Sequence, residues 1–323
     1  MAWEQVEDIN LKYSGSWTFN IGDSNYSLSS RNVSSSGLNG DSCSFSGYMR
    51  GIKIYGIKGN AYGIHDVYVD GAKVGSFDQY SATWVTNALL FSKLDLSPGW
   101  HTIQIKQSGK NTSSSNYTMS LDYLSVDFVP PVENGIPVKM FNRAVAFGDS
   151  ITDGKACVFK KDRYGEILGR VLGVPIYVQG ASGASISDVQ THIEPAIKPL
   201  NPDLVFWLGG ANDSSAQITG GSLANAVDKM RNELPNAEII FATFTDNTSA
   251  TAAENQAKVD AMKQVAQEKG ILFVDFYTLT KGNTSFLTDT IHPGTAGHRV
   301  LAQGFLDAVY QYYRGSKTKR LPY

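Results

Sequence analysis

Four short stretches hold the residues with chemistry to offer. Ser150 stands in Gly148-Asp149-Ser150-Ile151-Thr152, Gly180 and Gly183 in Gln179-Gly180-Ala181-Ser182-Gly183-Ala184-Ser185, Asn212 in Gly210-Ala211-Asn212-Asp213, and Asp289 and His292 in Asp289-Thr290-Ile291-His292-Pro293-Gly294. Acyl transfer by a serine needs a base for the hydroxyl proton, a group that orients the base, and N–H donors aimed at the developing oxyanion. Each need has a candidate. Ser150 is the candidate nucleophile and His292 the candidate base. Asp289, three residues before His292, can reach the far ring nitrogen and set the tautomer. The main-chain N–H groups of Ser150 and Gly183 and the side-chain amide of Asn212 are candidate oxyanion donors. Alone, Gly-Asp-Ser is an ordinary turn or helix cap. His298, six residues beyond His292, is a rival base at the start of a predicted helix, where it would cap or pack. Asp149 and Asp213 are expected to brace loops.

The four stretches fall where strands should end. Past residue 138 the apolar runs RAVAFG, VPIYVQG, DLVFWLGG, AEIIFATF and ILFVDFY each have the character of a strand buried on both faces. Helical segments separate them: RYGEILGRVLG, SISDVQTHIEPAIKPL, SLANAVDKMRNELP and AAENQAKVDAMKQVAQEKG, with a last one through TAGHRVLAQGFLDAVYQYY. Strand–helix alternation of this kind predicts right-handed βαβ units and a five-stranded parallel sheet with helices on both faces. Ligands bind beyond the carboxyl ends of the strands in such sheets, so the four stretches should converge along one rim.

Residues 1–129 have another rhythm. Short alternating runs such as HDVYVDGAKVGSF and HTIQIKQ are separated by Ser-, Asn- and Gly-rich clusters, and Asp70-Gly71 is a strong hairpin signal. An antiparallel β-sandwich or jelly roll is predicted there. Residues 130–137, with Pro130, Pro131, Gly135 and Pro137, form the predicted linker to a domain spanning 138–323. Trp17, Trp84 and Trp100 can be core or edge aromatics, or can stack on sugar rings.

In order and spacing, the four stretches resemble the conserved blocks of the SGNH hydrolases of the GDSL esterase superfamily over residues of about 140–315. GDSIT resembles the first block, with its serine at Ser150. ASGAS resembles the second, whose oxyanion glycine falls on Gly183, although a Gln stands in YVQGASG where Asn is common and Gly180 is the other glycine in reach. GAND resembles the third, with its asparagine at Asn212, and DTIH the last, with Asp289 and His292. The resemblance implies a three-layer, flavodoxin-like α/β domain and a serine esterase with an acyl-enzyme intermediate. It implies neither metal nor organic cofactor. A β-sandwich ahead of such a domain is similar to the layout of several carbohydrate acetylesterases, which implies an O-acetylated polysaccharide or other ester as substrate. The alternatives are a lipase or thioesterase for longer acyl chains, and a glycan-binding or phage-tail adhesion protein with secondary esterase activity.

Composition sets outer limits. The 323 residues exceed the usual single-domain size, and 42% hydrophobic with 18% charged residues describes an ordinary globular chain. A net charge of −2 offers nucleic acid no electrostatic footprint, and no apolar run is long enough for a membrane span. Cys43 and Cys157 lie in different halves, so two free thiols are expected. The N-terminus has no signal-peptide pattern, while the substrate expected from the resemblance suits an extracellular or virion-associated protein. The basic tail from Arg314 onward is expected to be a solvated end. His65, His101 and His192 carry no motif and are expected on the surface or in hairpins. The number of subunits stays open.

Overall fold

The computed structural model describes residues 3–21, 32–36, 40–128, 132–133, 136–137 and 141–315. Pro130, Pro131 and Gly135 of the predicted linker, and the basic tail past Gly315, lie outside the described residues. The chain divides into two compact units, Met1–Val138 and Lys139–Tyr323.

The named strands of the first unit pair antiparallel. Its strands are β1 (Trp3–Glu7), β2 (Lys12–Ser14), β3 (Thr18–Ile21), β4 (Asn32–Ser36), β5 (Ser42–Lys58), β6 (Gly63–Val69), β7 (Ala72–Asp78), β8 (Val85–Lys93), β9 (Gly99–Lys110) and β10 (Met119–Phe128). The long β5 changes partners along its length. Ser42–Met49 pairs with β9, and the later residues pair with β10 and β8, so this one strand links them all into a single ten-stranded sheet. Alternation sends Phe45, Met49, Ile52, Ile54, Val67, Ile103, Ile105, Leu124 and Val126 inward, all buried. Asp70 and Gly71, at φ 52° and 84°, form the two-residue turn between β6 and β7. The two-residue strands β11 (Val132–Glu133) and β12 (Ile136–Pro137) pair antiparallel where the linker was expected.

The second unit is a parallel α/β domain. Its strands are β13 (Ala144–Gly148), β14 (Ile176–Gly180), β15 (Leu204–Leu208), β16 (Glu238–Ala242) and β17 (Leu272–Val274). They lie in the order β14-β13-β15-β16-β17, all parallel. The helices are α1 (Ser150–Asp153), α2 (Tyr164–Leu172), α3 (Ile186–His192), α4 (Ser215–Thr219), α5 (Ser222–Glu233), α6 (Ala252–Lys269), α7 (Phe276–Thr280) and α8 (Thr295–Gly315). α2 packs on α8, while α3, α5 and α6 pack in series, giving a helical layer on each face of the sheet. Every residue of β13 and β15 is buried, as their unbroken apolar runs require, and each large side chain so buried contributes about 1.5–3 kcal/mol.

Two segments depart from expectation. SISDVQTHIEPAIKPL is α-helical only through His192, then passes through a π turn (Ile193–Ile197) and a 3-10 turn (Lys198–Leu200). Pro195 and Pro199 have no N–H to continue an α ladder. ILFVDFY is a strand only to Val274, because the Asp275 side chain accepts from the Thr278 N–H at 2.8 Å and caps α7.

Candidate active site

Parallel register lines up the strand ends that carry the site. Gly148 of β13 lies opposite both Gly180 of β14 and Leu208 of β15, and Leu208 opposite Ala242 of β16. Because β14 and β15 flank β13 on opposite sides, the order in which strands are added reverses there, which opens a crevice beyond the end of β13. Ser150 begins α1 in that crevice. Asp149 caps the helix, its Oδ1 accepting from the Ile151 N–H at 2.8 Å. The Ser150 N–H is left with no acceptor among the described residues, as is usual in a first helical turn.

The Ser150 Oγ lies 2.9 Å from His292 Nε2, and His292 Nδ1 lies 2.8 Å from Asp289 Oδ2. A carboxylate only accepts, so Nδ1 carries the proton and Nε2 is the acceptor for the Ser150 hydroxyl. Asp289 also holds the loop, since its Oδ1 accepts from the main-chain N–H groups of Ile291 and His292, both at 2.8 Å. Those bonds, that from His292 foremost, hold the Asp289 carboxyl down at about 2, although its side chain is 53% exposed. Ser150 and His292 themselves are buried.

The second and third stretches are tied to each other and to the first. The Ala181 N–H donates to the Gly148 carbonyl at 2.9 Å. One N–H of the Asn212 amide donates to the Ala184 carbonyl at 3.0 Å, and its other N–H has no acceptor among the described residues. Asp213 is buried, and both its oxygens lie 3.1 Å from the Ile186 N–H that opens α3. The two glycines differ in kind. A Cβ on Gly180 would collide with the main-chain nitrogen of Asp153, so Gly180 is where α1 packs onto the end of β14. Gly183 sits exposed in the turn at φ +77°, with nothing within 4 Å of where a Cβ would be.

Residues 146–300 match the model of the GDSL-like lipase/acylhydrolase family. That stretch holds Ser150, Gly183, Asn212, Asp289 and His292. No curated protein matches the chain. Among solved structures the chain is similar to a family two carbohydrate esterase from Clostridium thermocellum in complex with cellohexaose, at 16% identity and TM-score 0.46, over 94% of this chain and 99% of that one. It is similar to a family 2 carbohydrate esterase with a carbohydrate binding domain from Corynascus thermopiles, at 19% identity and TM-score 0.42, over 93% and 98%. It is also similar to the lipase/acylhydrolase from Enterococcus faecalis, at 20% identity and TM-score 0.45, over 54% and 96%.

Other titratable groups of the second unit have structural surroundings. His298 is buried, accepts at Nδ1 from the Tyr164 N–H at 3.1 Å, and stacks on the Tyr164 ring. It caps α2. Burial, with Arg163 second, pushes its pKa down to about 3. Asp149 is buried with Oδ2 unpartnered among the described residues, and burial pushes its carboxyl up to about 7 against the bond from Ile151. In the first unit His65 lies in the β6–β7 hairpin, one of the two places expected, and is wholly buried beside Phe77 because its place on β6 faces inward. His101 bonds Asp70 and the Ser97 carbonyl, and His192 the Asp188 carbonyl. Trp17 packs on Tyr13 and Trp84 on Tyr62; Trp84 is 55% exposed. Cys43 and Cys157 are free.

Sequence reasoning missed two features of the rim. Val158 and Phe159 are 76% and 59% exposed at the end of a segment whose Lys155 N–H donates to the Ser150 carbonyl at 3.1 Å. Lys258 on α6 is buried, and its Nζ donates to the Ala211 carbonyl at 3.3 Å. A signal for Lys258 existed. It shares a helical stripe with Asn255, Met262 and Val265, all buried.

Proposed function

We propose that Ser150, His292 and Asp289 are the catalytic residues of a serine esterase that removes O-acetyl groups from a polysaccharide. The hydrogen-bonded chain from the Ser150 hydroxyl through the imidazole to Asp289 carries this reading. The Ser150 Oγ attacks the ester carbonyl carbon as His292 Nε2 takes its proton. The oxyanion formed is held by the N–H groups of Ser150 and Gly183 and the second N–H of Asn212. Collapse breaks the carbon–oxygen bond to the sugar, and the imidazolium returns its proton to that leaving oxygen. Water then gives a proton to His292 and attacks the acyl carbon, releasing acetate and restoring Ser150. Asp289 keeps the ring in the working tautomer and compensates the imidazolium.

Polar rim residues support the sugar side of the reading. Asp153, Ser182, Asn212, Ser214 and Asp289 are exposed around the strand ends and suit a hydroxyl-rich leaving group. Such a polysaccharide is an extracellular substrate, and the reading puts the protein outside the cell or on a virion. Val158 and Phe159 favour a second reading, esters of longer acyl chains, because exposed apolar side chains eight and nine positions after the nucleophile offer a chain somewhere to lie. Hydrolysis of p-nitrophenyl acetate and p-nitrophenyl octanoate by the wild type, Ser150→Ala and Phe159→Ser separates the two. Acetylesterase action predicts Ser150-dependent turnover of acetate that falls on octanoate and is indifferent to Phe159→Ser. Faster turnover of octanoate, lost in Phe159→Ser, establishes the second reading.

A further inference from the structure

Lysine is among the residues least often fully buried, and burying an ammonium is costly unless acceptors and opposite charge surround it. Lys258 meets those conditions at the loop that carries Asn212, and Glu254 on its own helix attracts it as well. Its Nζ donates to the carbonyl of Ala211, the residue directly before Asn212. The Asp213 carboxylate attracts it and partly offsets the burial that pushes its pKa down. Its Nζ also stands 5.5 Å above the Phe244 ring, an aromatic face that favours a cation. One helical turn on, Met262 packs where a Cβ on Gly210 would fall, so this stripe of α6 lies directly against the same loop.

Both suggested arms of the oxyanion hole meet in that loop. Asn212 is one arm, and its amide is tied to the carbonyl of Ala184, the neighbour of Gly183. Asp213 holds the N–H of Ile186, which follows that same turn into α3. We infer that Lys258 is a positioning residue of the oxyanion hole, whose ammonium pins the Ala211 peptide and balances Asp213 so that the Asn212 amide and the Gly183 turn keep one fixed separation. This rests on the esterase reading above. Lys258 touches neither substrate nor reacting atoms. Its effect is exerted in the transition state, where the oxyanion exists, and so falls on kcat more than on KM.

The test is a double-mutant cycle between Lys258 and Asn212, read as kcat and KM on p-nitrophenyl acetate beside wild type and Ser150→Ala, with thermal unfolding to establish that each variant is folded. Lys258→Met is expected to lower kcat about 10- to 100-fold with KM nearly unchanged. Lys258→Arg, which keeps a donor and a charge, is expected to recover most of the loss. In the Asn212→Ala background Lys258→Met is expected to cost less than about 3-fold, because the donor it positions is already gone. If Lys258→Met does not fold, Lys258→Gln, which keeps an N–H donor without the charge, takes its place in the cycle. Unchanged kcat, or the same loss in both backgrounds, overturns the positioning role while leaving the esterase reading intact. Absence of Ser150-dependent turnover in the wild type overturns the esterase reading, and the positioning role with it.

Discussion

Each ring nitrogen of His292 has one neighbour that dictates its state: a carboxylate at Nδ1 that can only accept, and a hydroxyl at Nε2. The carboxylate stays ionised down to about pH 2, so loss of activity on mild acidification does not trace to Asp289. Asp149 behaves in the opposite way. Its folded pKa of about 7 lies above the ordinary 3.8, so the folded state favours the protonated form. That contribution is complete below about pH 4 and is lost as pH rises through 7. Asp149→Asn, neutral and of the same shape, should therefore melt with the wild type near pH 4 and above it, by on the order of 10 °C, beyond pH 7. Parallel melting curves at all pH values would show that Asp149 does not ionise in this range. The meeting of Ser150, His292 and Asp289 was legible in the sequence because acyl transfer, the chemistry proposed, demands few residue types, and only certain places after strands can hold them. Lys258 was not singled out because a lysine in a helix ordinarily faces water; only its place in the Asn255–Met262–Val265 stripe marks it.

At the scale of elements, one turn of helix must be set against one strand end. α1 presents Ser150, and it can lie on β14 only because Gly180 has no side chain to meet Asp153. Gly180→Ala should cost about 1–3 kcal/mol of stability and reduce turnover together, since α1 must move to admit the methyl group. Chemical unfolding and steady-state kinetics on one preparation check both; an active, fully stable variant would show that α1 does not depend on that approach. The five parallel strands were legible in their unbroken apolar runs, and the hairpin in Asp70-Gly71. Where the periodic signal met a local hydrogen bond, the bond won. Asp275 turns the last residues of ILFVDFY into α7, and Pro195 ends the α ladder of α3 early, neither of which an apolar pattern records.

Across the whole molecule, the change of rhythm near residue 130 marks where an antiparallel unit gives way to a parallel one, and contacts divide the chain at Val138. Substrate preference is less legible, because Val158, Phe159 and the polar rim residues are exposed and obey no period that packing would impose. The site itself exists only when the second unit is folded. Ser150 and His292 stand 142 positions apart in the chain and 2.9 Å apart in space. Labelling with an organic phosphonofluoridate, followed by peptide mapping, tests that assembly most directly. The account predicts one adduct, on the Oγ of Ser150, absent in Ser150→Ala, slowed at least about 100-fold in His292→Ala and lost in denaturant. An adduct on another residue, or none on the folded wild type, would contradict it.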